Sequence, residues 1–95
     1  MLSHTQEQVI FMEIDEINKL LDEINADRTV PRNVRSMVGE AMTSLDDKKL
    51  DKAVKINNAI YILDEVSNDP NIPIYTRTQI WNIVSLLEVA NEESK

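Results

Sequence analysis

A chain of 95 residues is one domain on length, and it can bury roughly 60 to 65% of the surface that its unfolded form exposes. It has no Cys, which excludes a disulfide framework and every thiolate metal site and suits a reducing compartment. Its 17 acidic against 10 basic residues leave a net charge of −7, which repels phosphate backbones and anionic membrane surfaces, so nucleic acid is not an expected partner.

One Gly and three Pro in the whole chain, with 42% hydrophobic residues, predict long helices, tight connections and a packed interior. The opening run MLSHTQEQVIF has neither the basic region nor the apolar stretch of an export signal. No stretch approaches the roughly 20 consecutive apolar residues of a membrane span. A soluble, cytoplasmic protein is expected.

The first helix is predicted from about Thr5 to Ala26, begun by the capping boxes Ser3-His-Thr-Gln6 and Thr5-Gln-Glu-Gln8. Ile10, Ile14, Ile17, Leu21 and Ile24 recur at steps of four and three and form its core stripe. Met12 lies on the opposite side, and Phe11 about 100° off the stripe. Pro31 ends the first connection, with Thr29 as the expected cap of a second helix from Val30 or Pro31 to about Leu45, whose inner face is Val34, Met37, Val38, Ala41 and Leu45. Asp46-Asp-Lys-Lys49 is the next polar break, and Asp46 or Asp47 is the candidate cap of a third helix, about Leu50 to Asn68. That helix turns Ala53, Ile56, Ala59, Ile60, Leu63 and Val66 inward and carries Val54, Tyr61 and Ile62 elsewhere around its circumference. After Asn68-Asp-Pro-Asn-Ile-Pro73, with Asn71 as the counterpart of Thr29, the last helix is predicted from about Ile72 to Asn91. Its core stripe is Ile80, Ile83, Val84, Leu87 and Ala90, with Ile74 and Trp81 on a flank.

The chain contains one stretch twice, LDEINADRTVPRNVR from Leu21 and LDEVSNDPNIPIYTR from Leu63, 42 positions apart. Identical pairs are Leu21/Leu63, Asp22/Asp64, Glu23/Glu65, Asp27/Asp69, Pro31/Pro73, Arg35/Arg77 and Leu45/Leu87, while the pair Gly39/Trp81 marks where the halves differ most. A period near 40 is the size of one helix-turn-helix unit. Repeat one covers about 5–46 and repeat two about 47–91 of a single 1–95 domain. Two repeats are too few for a solenoid, so the expected fold is all-α: an antiparallel four-helix bundle built from two repeated helical hairpins.

The pattern of Asp, then Val/Ile-Pro, then Arg four residues after the proline resembles a degenerate HEAT-like helical repeat, which implies a scaffold and no chemistry. A second resemblance spans nearly the whole length. Thr-Val-Pro-Arg-Asn-Val-Arg35, Ala-Ile-Tyr-Ile-Leu-Asp-Glu65, Asp-Pro-Asn-Ile-Pro73 and Thr76-Arg-Thr-Gln-Ile-Trp81 resemble the signature segments of a small archaeal family of uncharacterised proteins, uncharacterised protein family 0147. That resemblance implies an all-helical fold and an archaeal cytoplasm, and brings no functional residue with it.

The repeated acids Asp22, Glu23, Asp27 and Asp64, Glu65, Asp69 face the negative ends of their helices and call for a cation. Arg35 and Arg77 are expected to supply it as structural ion pairs with Asp22, Asp27, Asp64 and Asp69. The alternative is a divalent ion, and with it a metal-dependent or acid/base enzyme. The single His, His4, lies in the first residues, and with no Gly-rich phosphate loop and no Glu-x-x-His the usual catalytic and cofactor motifs are missing, so no catalytic, cofactor or metal residue is assigned. Arg28, Arg32, Arg35, Lys48, Lys49, Lys52 and Lys55 form a basic run that reads as solvated surface, or as an RNA contact. The off-stripe residues Phe11, Met12, Val54, Tyr61, Ile74 and Trp81 are either core flanks of a broad bundle or an exposed partner surface. The function expected is a non-enzymatic protein-protein interaction module or assembly subunit, with a homodimer or another protein as partner.

Overall fold

The computed structural model describes the backbone of residues 2–93 and the side chains of residues 14–92. It holds four helices, α1 (Leu2–Asn25), α2 (Arg32–Asp46), α3 (Lys52–Ser67) and α4 (Ile74–Glu93), with no strand among the described residues. The last three begin about two residues later than the periodicity predicts. Pro31 (φ −54°, ψ 146°) and Asp51 (φ −61°, ψ 150°) are extended residues just outside their helices. The apolar residue before each proline, Val30 or Ile72, belongs to the turn and plugs the core from its end.

The predicted stripes supply most of the interior. Ile17, Leu21 and Ile24 of α1, Val34, Val38, Ala41 and Leu45 of α2, Ile56, Ala59, Leu63 and Val66 of α3, and Ile80, Ile83, Val84, Leu87 and Ala90 of α4 are all buried. Each large side chain among them contributes about 1.5–3 kcal/mol on removal from water. Met37 and Ile60 pack against this core half-buried, whereas Ala53, expected inside, is exposed. It lies in the first turn of α3, about 100° round from the middle of the buried arc. Ile10 lies outside the described side chains.

Each helix packs against two others: α1 on α2, α2 on α3, α3 on α4, and α4 back on α1. In a HEAT-like stack the matching helices of successive repeats lie side by side. Here α1 and α3 have no Cα atoms within 8 Å of each other among the described residues, nor do α2 and α4. All four helices contribute to one shared core. Ser44 Oγ donates to the Lys55 carbonyl (3.4 Å) across α2 and α3, and Asn91 Nδ2 donates to Asn57 Oδ1 (3.3 Å), which ties the last turns of α4 to the early turns of α3.

Candidate functional site

The repeated acidic turns are the first candidates, and their geometry assigns the carboxylates to the backbone. Asp27 Oδ1 accepts from the Thr29 amide (2.9 Å) and the Thr29 hydroxyl (2.7 Å), and Asp69 Oδ1 accepts from the Asn71 amide (2.8 Å). These are Asx turns, in which the side chain satisfies an amide of the connection two residues on. The two bonds from Thr29 hold the Asp27 carboxyl below its ordinary value, helped by the nearby Arg35 charge. Thr29 thus serves Asp27 rather than capping α2, and neither α2 nor α3 has a side-chain cap bond.

The middle turn does the same thing. Asp47, expected as a cap of α3, ends α2 instead, and its Oδ1 accepts from the Lys49 amide (2.9 Å). The backbone bonds Asp27 N to Ile24 O, Asp47 N to Ser44 O and Asp69 N to Val66 O are equivalent, as are Arg35 N to Pro31 O, Lys55 N to Asp51 O and Arg77 N to Pro73 O. All three connections therefore share one geometry and one pattern, Asp-x-x-apolar-Pro/Asp, at Asp27, Asp47 and Asp69. The repeat reading overlooked the middle copy because Asp51 stands where the others have proline. The signal that finds it is the fixed offset of an apolar residue three positions after the Asp.

Arg35 and Arg77 sit at these turns, and what their guanidinium groups hold is main chain. Arg35 Nε donates to the Val30 carbonyl (3.2 Å), while Arg77 donates through Nε to Ser67 O (3.0 Å) and through Nη2 to Asp69 O (2.9 Å). Ser67 ends α3, so its carbonyl lacks an intrahelical donor and carries the helix's negative pole, while the Val30 and Asp69 carbonyls belong to the connections; all three compete with the carboxylates for the same cations. The direct ion pair among the described residues is Lys19 with Asp15 (3.6 Å), both well exposed. Asp22 and Asp64 face solvent. No group of three acidic or histidine side chains that could hold a metal ion comes together among the described residues.

The basic run divides in the fold. Arg28, Arg32 and Arg35 lie at the start of α2, and Lys48, Lys49, Lys52 and Lys55 beyond its far end, some 22 Å away for 15 residues at about 1.5 Å each. Lys48, Lys52 and Lys55 line an open cleft of about 360 Å³ together with Asp15 and Asp46.

The apolar candidates are outward. Val54 and Tyr61 lie opposite the buried arc of α3, and Ile74 and Trp81 on the outer side of α4, with exposures of 66% for Tyr61, 79% for Ile74 and 57% for Trp81. Tyr75 and Val89 of α4, which the periodicity did not single out, join them. The Glu65 carboxylate, one turn along α3, raises the pKa of the Tyr61 hydroxyl by accepting its hydrogen bond and by its charge. Phe11 and Met12 lie outside the described side chains. No described helix is long and apolar enough to cross a membrane.

A sequence profile described as uncharacterised protein family UPF0147 matches residues 3–90. A UPF0147 protein of the archaeon Methanocaldococcus jannaschii is 52% identical over 69 residues, 73% of this chain and 74% of its own. One from the archaeon Sulfurisphaera tokodaii is 47% identical over 73 residues, 77% of this chain and 82% of its own. Among solved structures, a UPF0147 protein from Thermoplasma acidophilum superposes with a TM-score of 0.80 at 34% identity, covering 90% of this chain and 98% of its own. A protein of unknown function does so at 0.77 and 46%, covering 80% and 86%. A profile that spans nearly the whole chain, with relatives this similar, settles the kinship: the chain belongs to the uncharacterised protein family UPF0147.

Proposed function

We propose that this chain is a non-enzymatic helical interaction module: one closed, antiparallel four-helix bundle of two repeated hairpins, whose second hairpin presents a protein-docking face on the outer side of α3 and α4. One observation carries the reading. At positions 42 apart the buried residues of the two hairpins match, as in Leu21/Leu63, Ile24/Val66, Val38/Ile80 and Leu45/Leu87. Most of the outward residues at the same spacing do not, Val54/Met12 being the apolar exception. Tyr61, Ile74, Tyr75, Trp81 and Val89 correspond to Lys19, Arg32, Asn33, Gly39 and Asp47.

The frame makes the same demands on both halves, so folding alone has no use for aromatic and aliphatic groups on one outer face and polar groups on the other. An exposed apolar patch rich in Trp and Tyr has the composition of a protein interface, with the carboxylates of Glu65, bonded to Tyr61, and exposed Glu88 beside it. Phe11 and Met12 correspond to Ala53 and Val54, and belong to this reading through the sequence alone. The test is a photo-activatable cross-linking residue placed at position 61 or 81, compared with the matching positions 19 and 39, in cells that make the full chain. Cross-links to polypeptide from 61 and 81, and few from 19 and 39, are expected; equal yields from both hairpins would sink the proposal.

A further inference from the structure

We infer that the connection between α2 and α3 is a hinge: it straightens into one continuous helix, and two copies of the chain then exchange hairpins, the first hairpin of each packing on the second hairpin of the other. The exchange concerns the shared core and is independent of the docking face proposed above.

All three connections carry the same Asx turn, yet the outer two are locked in ways the middle one is not. Pro31 and Pro73 oppose a helix running through them, whereas Asp46 to Lys52 contains neither proline nor glycine. Arg35 and Arg77, four residues after those prolines, hold main-chain carbonyls of their connections. Lys55, four residues after Asp51, makes no such bond with its side chain. The apolar residue of the turn is also less firmly seated, since Leu50 is half-buried where Val30 and Ile72 are buried.

Helical phase sets the middle connection apart as well. At about 100° per residue, the buried stripe of α2 (Val34, Val38, Ala41, Leu45) and that of α3 (Ile56, Ala59, Leu63, Val66) fall within about 10° of each other on a single unbroken helix. The buried stripes of α1 and α2, and likewise those of α3 and α4, would be about 100° apart. A straightened α2 and α3 therefore keep one continuous apolar face, and straightening either outer connection would twist it away. Two-fold symmetry demands such a face, because two long antiparallel helices must each offer the same side to a core at both ends. Every packed pair of helices then forms again, with α2 of one copy on α3 of the other, and each chain gives up only a turn. Between Leu45 and Ile56 the stripe positions are Lys49 and Lys52, which two antiparallel copies bring together. Their repulsion makes the exchanged form the minor one at low salt, and added salt favours it.

The full-length chain is to be warmed into its melting range at high concentration, cooled, and separated by size exclusion with light scattering. A dimer is expected that survives dilution in the cold for hours and returns to monomer only when rewarmed dilute. Trp81 in that dimer is expected to be as open to a soluble quencher as in the monomer, because the outer face takes no part. Asp51→Pro is expected to cut the dimer yield by roughly tenfold. Asp47→Ala, which removes the Asx turn and favours helix, is expected to raise it by roughly threefold, and it decides alone should Asp51→Pro lose structure. No dimer from either the native chain or Asp47→Ala overturns the hinge. A dimer that falls apart within minutes of dilution, shields Trp81, or keeps its yield in a folded Asp51→Pro chain overturns it equally.

Discussion

Thr76 is the one polar residue among the buried set, fully shielded in the first turn of α4 with its hydroxyl unpartnered, at the position where the first hairpin has Val34. A buried hydroxyl without a partner costs about 1–3 kcal/mol, and Val has the same shape without it. Thr76→Val is therefore expected to stabilise the fold by about 1 kcal/mol, read as a higher denaturation midpoint at constant m-value. A lower midpoint would mean that the hydroxyl makes a bond the native protein needs. The two repeated arginines are unequal for a similarly local reason. Arg77 closes two carbonyls and Arg35 one. With charged hydrogen bonds at about 1.5–3 kcal/mol, Arg77→Ala is expected to lower stability by roughly twice as much as Arg35→Ala, and equal losses in chemical denaturation would contradict this division.

At the scale of elements, three connections use one turn. Its Asp accepts from the amide two residues on, its apolar residue is buried as Val30 and Ile72 and half-buried as Leu50, and Pro31 and Asp51 are extended just before their helices. In two of them the residue four after the Asp is proline. Asp51 already has φ −61°, and its side chain makes no cap bond, so the middle turn is ready to accept the same residue. Asp51→Pro is expected to raise stability by about 0.5 kcal/mol, mainly by narrowing the unfolded chain's choices. A drop in melting temperature would show that Leu50, unlike Val30 and Ile72, cannot adopt the conformation a following proline demands.

For the whole molecule, closure of the ring decides what can exist alone. α1 touches α2 and α4, and α3 touches α2 and α4, so removing one hairpin strips the other of two packed neighbours. Residues 47–95 by themselves would expose Leu63, Val66, Ile80 and Leu87, which is too much apolar surface for a chain of about 50 residues to leave in water. That fragment is expected to be largely unfolded when dilute and to gain helix only as it self-associates, so its circular dichroism should depend on concentration. A dilute fragment that is helical and melts cooperatively would show that each hairpin has a core of its own.

Much of the fold was legible because its determinants are local. The steps of three and four that place Leu21, Val38, Leu63 and Leu87 on inner stripes follow from helix geometry alone, and proline together with the scarcity of glycine marked where helices stop. The repeat of 42 residues and the family signatures are likewise properties of the order of residues. Tertiary structure decided the matters that depend on which groups compete for one partner. An Asp beside an Arg suggests an ion pair by type, yet the amide two residues along takes the carboxylate and main-chain carbonyls of the turn take the guanidinium. It also separated basic residues that are neighbours in sequence by the length of α2, and showed that Tyr61 and Trp81 point outward, because an off-stripe position becomes core or surface only when a neighbouring helix covers it or leaves it bare.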